Sequence, residues 1–272
     1  PERWRGLGNS LQVGGYKIGM LVSGSGLLLM MDALGWNLSL GIVAMLLLVL
    51  SVPVWRFREN QQIPHQAAQA ESPGPGLLLR HYRGLLQQPG MLGWISVLLT
   101  FKLGDALGSA MIKPMLVDQG WSNSALGQLT LISSLAGIVG ALLGGLLYAR
   151  LGAYRSLLLF GLLQAAGIAS MALLVGAAGD TLLVYAISLF EQVADGMSTV
   201  ALFAVMMSYC RAEHEGADFT LQACVQLLLA GLVGASSGLL AQWLGYSTLF
   251  LLAGLIGLSM LALVQRHFRQ RL

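Results

Sequence analysis

Five ionisable residues fall inside long apolar runs of this chain: Lys17, Lys102, Asp105, Glu191 and Asp195. A charge in such a setting is expensive and normally faces a bundle interior or an aqueous cavity. Lys102 and Asp105 stand three apart and share a helical face, where they can pair locally. Glu191 and Asp195 stand four apart and share a face too. Two carboxylates that close in a low dielectric resist ionising together, so one is expected to hold a proton more tightly. A carboxylate that loads a proton on one side and releases it on the other, as its surroundings alternate, is what proton coupling requires. Two arrangements are open. Lys17 and Lys102 neutralise Glu191 and Asp105 in a structural network of ion pairs, or the five groups line a polar cavity. Five are more than a dry bundle needs, which favours the cavity. Glu191, Asp195 and Asp105 are therefore the proton-coupling and cavity candidates. Lys17, Lys102, Tyr16 and Gln192 are the candidates for substrate binding or charge pairing. Gln164, Gln222 and Gln226 add hydrogen-bonding capacity. Trp94 and Tyr185 offer rings for contact with a sugar, although aromatic side chains more often pack or sit at interfaces.

The elements that must position these groups are membrane helices. Of 272 residues, 56% are hydrophobic and 10% charged, against about 25% charged in an average soluble domain. The mean hydropathy is +0.73. A soluble fold of this size would lack the polar surface to cover itself, and a bilayer removes that demand. Eight apolar blocks can be marked, at about 10–31, 36–54, 91–111, 125–149, 156–177, 181–209, 219–244 and 247–264. Each reaches roughly the ~20 residues that cross a hydrocarbon core, and the sixth is long enough to extend beyond the bilayer or tilt. The expected fold class is therefore an all-α, polytopic membrane helix bundle with about eight transmembrane helices. Small residues recur at four-residue spacing in Gly15 and Gly19, Gly104 and Gly108, Gly140 and Gly144, and Gly234 and Gly238. Such pairs let helices approach closely in lipid.

Orientation follows from Lys and Arg. With alternating crossings, one side receives Arg3, Arg5, Arg56, Arg58, Arg80, Arg83, Arg150, Arg155, Arg211, Arg266, Arg269 and Arg271, twelve of the 15 basic residues. The opposite loops hold Lys113 alone, and Lys17 and Lys102 lie within spans. Both ends are thus expected on the cytoplasmic side of an inner membrane. The stretch 56–90, with Pro64 and Pro73-Gly-Pro-Gly76, reads as a cytoplasmic linker. Its part 77–86 is amphipathic and basic, and either lies along the membrane surface or is a solvated connector. This one long loop divides the chain into two helices, 1–55, and six helices, 91–272. The polar opening Pro1-Glu-Arg-Trp-Arg5 reads as a loop between helices, so the chain is expected to be an N-terminally truncated fragment.

No Cys or His cluster has metal-ligand spacing, no nucleotide-binding loop is present and no nucleophile motif stands out, so neither an enzyme nor a cofactor is expected. The scattered basic residues follow topology and do not point to nucleic acid. Cys210 and Cys224 do not form a disulfide framework. His65, His81, His214 and His267 fall in loops or near helix ends and read as cytoplasmic surface.

The block Gly145-Leu-Leu-Tyr-Ala-Arg150-Leu-Gly152-Ala-Tyr-Arg155 resembles the loop motif of the major facilitator superfamily, with Ala149 standing where an acid is usual. Within that superfamily, longer strings resemble the AmpG-type muropeptide permeases. They are Pro1-Glu-Arg-Trp-Arg-Gly6, Gly15-Tyr-Lys-Ile-Gly-Met20, Lys102-Leu-Gly-Asp-Ala106, Phe190-Glu191, Gly196-Met-Ser-Thr199, Tyr154-Arg-Ser-Leu-Leu-Leu-Phe-Gly161, Thr220-Leu-Gln-Ala223 and Gly245-Tyr-Ser-Thr-Leu-Phe250. Asp195 departs from that pattern, where a small residue is usual. Ala194-Asp-Gly-Met197 and Asp218-Phe-Thr-Leu-Gln-Ala-Cys224 are similar to a sister branch of pyochelin- and rhizobactin-type siderophore permeases. The resemblance implies two six-helix halves joined by the long loop, of which this chain holds the last two helices of the first and all of the second. It implies proton-driven import of N-acetylglucosaminyl-anhydromuramyl peptides, with Lys17, Lys102, Asp105 and Glu191 at the family's charged membrane positions. The partners so implied are a small amphiphilic glycopeptide or a siderophore, protons and the lipid bilayer. The alternative of another class is a truncated, non-transporting membrane protein or a scaffold.

Overall fold

A computed structural model describes residues 2–21, 30, 34–56, 83–177, 179–212 and 214–269. Its ordered elements are all helical. They are α1 (Glu2–Leu21), α2 (Trp36–Arg56), α3 (Met91–Phe101), α4 (Leu103–Asp118), α5 (Asn123–Ser170), α6 (Thr181–Ser208), α7 (Glu215–Leu244) and α8 (Tyr246–Arg269). A short 3-10 turn, Met171–Leu174, follows α5. The chain separates into two compact units, one of residues 1–18 with 87–272, the other of residues 19–86.

Six described stretches are long and apolar enough to cross a membrane by length and composition: Trp36–Arg56, Met91–Asp118, Ala125–Leu174, Thr181–Ser208, Glu215–Leu244 and Tyr246–Arg269. Two of the expected blocks, the fourth and fifth, lie within one of these. Ala125–Leu174 spans 50 residues, far beyond the ~20 needed for one crossing. It is broken at Gly152, whose φ of 73° and ψ of 176° are non-helical. Positive φ costs a glycine nothing, since it has no Cβ. The chain doubles back there. A Cβ built on Gly140 in the first arm would touch Val193 of α6, and one built on Gly167 in the second arm would meet Glu191 of α6. Both arms therefore press on the middle of the same helix. Arg150 and Arg155 are exposed on either side of this break and Gly145 is buried about two turns before it, so the residues that resemble the loop motif flank the point where the two arms meet.

Three expectations need correction. The opening 2–5 is helix, not loop: α1 begins at Glu2, because nothing in Glu-Arg-Trp-Arg breaks a helix and the apolar block behind it propagates one. The remainder of the first block, 22–29 and 31, lies outside the described residues, as do 57–82 of the linker. Lys113 is not in a loop but exposed inside α4, which runs on to Asp118. The third block is in turn not one helix. It is interrupted at Lys102, which has φ −100° and ψ 7° and is at once the C-cap of α3 and the N-cap of α4. No proline causes this break. Pro114 sits three turns further on, inside α4.

Close helix contact in the larger unit rests on glycine. A Cβ added to Gly140 would stand 2.3 Å from the Val193 carbonyl oxygen, and one on Gly144 2.7 Å from Met197 Cα. Gly196 returns the fit, at 2.3 Å from the Gly137 carbonyl. The first arm of α5 and α6 thus run alongside each other nearly backbone to backbone. Gly104 and Gly108 pack against Ala253 and Gly257 of α8 and Ile168 of α5. A Cβ on Gly15 or Gly238 would meet nothing within 4 Å among the described residues, whereas one on Gly234 would stand 3.4 Å from the Ala106 carbonyl oxygen, an ordinary contact. We expect Gly140→Val to force these two helices apart and to cost about 1–3 kcal/mol, the usual range for an overpacked interior. Thermal melting of the detergent-solubilised protein checks it, with Gly238→Val as the control that leaves melting unchanged.

Apolar clusters brace this arrangement at two levels. Met115, Leu116, Leu129, Met171, Leu174, Val184, Ile187 and Phe250 join α4, α5, α6 and α8 near one end. Val13, Ala141 and Val200 bring α1 onto α5 and α6, with Phe203 beside them. That second contact sets the position of Lys17, one turn after Val13. The smaller unit contributes α2, apolar around most of its circumference and exposed along Met45–Leu50, as a lipid-facing helix would be.

Candidate functional site

The predicted charges converge on α6. Asp195 is the centre: Lys17 Nζ lies 2.9 Å from its Oδ2 and Lys102 Nζ 2.8 Å from its Oδ1. Lys17 arrives from α1 through the Val13 contact. Lys102 arrives from the break between α3 and α4, where a non-helical residue turns its side chain inward. Lys102 also stands 3.7 Å from Asp105 Oδ2, the local pair expected from the three-residue spacing. It donates further to Ser198 Oγ at 2.8 Å. Ser198 in turn donates to Gln164 Oε1 at 2.7 Å, and Gln164 Nε2 faces Asp195 Oδ1 at 3.5 Å. Thr199 Oγ1 donates to the same Oδ1 at 3.2 Å. The result is a closed ring of hydrogen bonds, in which those made by Lys102 and Asp195 are charge-assisted and stronger than the neutral link from Ser198 to Gln164. Both lysines are buried, at 8% and 7% exposure.

Glu191 stands apart from this ring although it shares the helix face. It is buried, at 1% exposure, and its backbone meets Gly167 of α5. Oε2 accepts a hydrogen bond from Gln192 Nε2 at 3.0 Å, while Oε1 has no hydrogen-bond partner among the described residues. No ion pair to it is present among the described residues. Neutralisation of Glu191 by Lys17, one of the two arrangements open from sequence, is thus not what forms: both lysines turn to Asp195. A cavity of about 10 Å³ lies beside Asp105, lined by Phe101, Gly104, Gln164 and Gly257 among others. That is near the smallest volume that admits one water.

Ser198 and Thr199 were not singled out as site residues, yet they complete the ring. Their signal was present: they follow Asp195 by three and four positions, the spacing that places side chains on one face. Gln164 was seen only as hydrogen-bonding capacity, because its distance in sequence hides its place opposite α6. Tyr16 is exposed, at 65%, and does not join the cluster.

A second polar cluster ties helix ends together. Trp94 is fully buried. It donates its indole N–H to Gln222 Oε1 at 2.7 Å and stacks on Tyr209 with ring centroids 4.8 Å apart. Gln222 also donates to the Met206 and Asp218 carbonyls, each at 3.2 Å. Asp218, wholly buried, receives Arg211 through Nη2 at 2.7 Å and Nε at 2.8 Å. That hydrogen bonding, with the carboxylate charge, holds the Arg211 guanidinium pKa above its ordinary value. The Tyr209 hydroxyl meets His267 Nε2 at 2.5 Å. Trp94 and Gln222 are therefore interior struts, not ring-binding groups of a cavity. His267, expected at the surface, is 5% exposed, because the last turn of α8 packs it against Gly93 of α3. Tyr185 packs against Trp121, with centroids 6.4 Å apart.

Comparison with known proteins places this geometry in context. The Major Facilitator Superfamily profile matches residues 1–235. The anhydromuropeptide permease of Escherichia coli (strain K12) is 32% identical over 259 residues, which cover 92% of this chain and 51% of that protein. The anhydromuropeptide permease of Escherichia coli O157:H7 gives the same figures. The chain thus spans about half the length of the curated relatives it matches.

Proposed function

The chain belongs to the Major Facilitator Superfamily, and on that footing we propose that it works in a proton-coupled importer of anhydromuropeptide-like cell-wall fragments. It is a multi-pass membrane protein of a transporter family, not of an enzyme family. The observation that carries the coupling is the charge inventory around α6. Two lysines face two aspartates, Asp105 and Asp195, and Glu191 is the carboxyl left over. A buried charge with no counter-ion is costly, and a proton is what cancels it. Glu191 therefore carries the transported proton. Lys17 and Lys102 are the cations a substrate carboxylate meets. The substrate class rests on the 32% identity to a permease named for anhydromuropeptides over nearly all of this chain.

In this reading residues 1–55 supply the last two helices of a first half, 56–90 the linker and 91–272 the second half. The halves rock about a midplane site in alternating access. In this reading the protein sits in the inner membrane with both ends of this segment cytoplasmic, which the distribution of Lys and Arg supports.

Uptake of a labelled N-acetylglucosaminyl-anhydromuramyl tripeptide tests the proposal. The whole gene product is expressed in cells lacking their own permease. Uptake driven by an inward proton gradient, collapsed by a protonophore and not competed by ferric pyochelin, is expected. Gradient-driven accumulation of the ferric siderophore without the muropeptide would transfer the protein to the siderophore branch. Transport of neither, at normal membrane abundance, would leave the scaffold reading.

A further inference from the structure

Asp195 is held as a bound ligand is held. Its two oxygens take one cation each, Lys17 on Oδ2 at 2.9 Å and Lys102 on Oδ1 at 2.8 Å, and Thr199 adds a hydroxyl at 3.2 Å. The cations come from elements far apart in the chain, α1 and the α3–α4 break, so tertiary structure builds a two-lysine receptor for one carboxylate. The lysine side chains are 10% and 8% exposed, whereas the Asp195 side chain is 20% exposed. The carboxylate is thus the member of the group that faces outward, as a replaceable occupant does.

We propose that the Lys17–Lys102 pair receives the carboxylate of an anionic substrate in place of Asp195, so that Asp195 is a competitor built into the chain which the substrate displaces. This rests on the transport reading above and assigns Asp195 a role that reading leaves open. The exchange is electrostatically economical. One carboxylate replaces another on the lysines, so neither buried cation is left without a counter-ion, and the carboxylate set free is the most exposed of the three side chains. Lys102 keeps its orientation during the exchange through Asp105 and Ser198. The displaced Asp195 keeps Thr199 and Gln164 as hydrogen-bond donors. A competitor tethered in the same chain acts at high effective concentration. It lowers the apparent affinity for any free carboxylate and returns to expel the substrate group, so the site neither fills with small anions nor traps its cargo.

The test uses the full-length protein in lipid nanodiscs and three probes: anhydromuramyl tripeptide, its carboxamide analogue and succinate. Asp195→Asn is expected to bind the tripeptide about tenfold more tightly or better, since the competent state is no longer masked. Binding of the carboxamide is expected to stay as in the parent protein, and uptake of the tripeptide to fall. Lys17→Gln/Asp195→Asn, which removes one of the two cations, is expected to lose the gain. Because this double variant carries the parent's balance of charge, it also keeps the question open to an answer if Asp195→Asn alone folds poorly. In that case the double variant must bind the tripeptide no better than the parent, and tighter binding by it overturns the proposal. Where the parent protein binds the tripeptide, unchanged or weaker binding by folded Asp195→Asn overturns it too. Succinate separates the two readings. If neither protein binds the tripeptide but succinate raises the melting temperature of Asp195→Asn and not of the parent, the carboxylate exchange stands and the muropeptide assignment falls.

Discussion

Glu191→Gln is expected to yield a folded protein, at parental abundance in the membrane, whose gradient-driven uptake has fallen on the order of 100-fold or more, the scale of losing a proton-transferring group. The substitution is nearly isosteric, and the amide oxygen still accepts from Gln192 Nε2, which now bonds Glu191 Oε2. Oε1 has no partner to lose. What disappears is the ability to gain and shed a proton. Exchange of labelled for unlabelled substrate across the membrane, which needs no net proton movement, is expected to survive. That pairing distinguishes a coupling defect from a general one. Uptake that still follows the proton gradient in Glu191→Gln, at equal abundance, would remove this residue from the coupling step and return it to the status of a buried polar strut.

Lys102→Met is expected to do the opposite: to damage the fold first. Lys102 serves Asp195, Asp105 and Ser198 at once, and it occupies the break between α3 and α4. Removing one partner of a buried ion pair typically costs about 3–5 kcal/mol, because the other charge stays buried and unpaired. Asp105 then has no cation, and Asp195 keeps Lys17 alone. The expected readout is a clear fall in melting temperature and in membrane abundance. Lys102→Met/Asp105→Leu, which removes the stranded carboxylate as well, is expected to recover most of the stability. It is not expected to recover uptake, since one of the two cations for the substrate carboxylate is still gone. A Lys102→Met protein that melts like its parent would show that the ring around Asp195 does not hold these helices together.

Much of this was legible in one dimension. The helical class, the crossings from 91 onward and the special standing of Lys17, Lys102, Asp105, Glu191 and Asp195 follow from a single physical fact. In hydrocarbon, apolar runs must be helical and charges are too expensive to be accidental. The Gly140 and Gly144 pair was readable for the same reason, since small residues let helices approach in lipid. The spacing of Ser198 and Thr199 behind Asp195 carries a signal of the same kind, since it places all three on one helix face. What composition could not separate was the tightly packed glycine from the idle one: Gly238 has the same spacing, yet a Cβ on it would meet nothing within 4 Å among the described residues.

The pairing of charges belonged to the tertiary structure alone. Sequence spacing reaches one or two helical turns, so it placed Lys102 beside Asp105 and Glu191 beside Asp195. It could not say that a break at Lys102 and the packing of Val13 on α5 and α6 would bring two lysines to one aspartate. Nor could it show that His267 and Trp94, read as surface and as cavity, meet Tyr209 and Gln222 in the interior. Periodicity reports which face of a helix a residue occupies. Which neighbour that face meets depends on the crossing and rotation of whole helices, and these are set by contacts summed over many residues distant in the chain. The five charges were therefore determined by the sequence as a group, and their division into a ring on Asp195 and a solitary Glu191 was decided by the packing of α1, α3, α4 and α5 around α6.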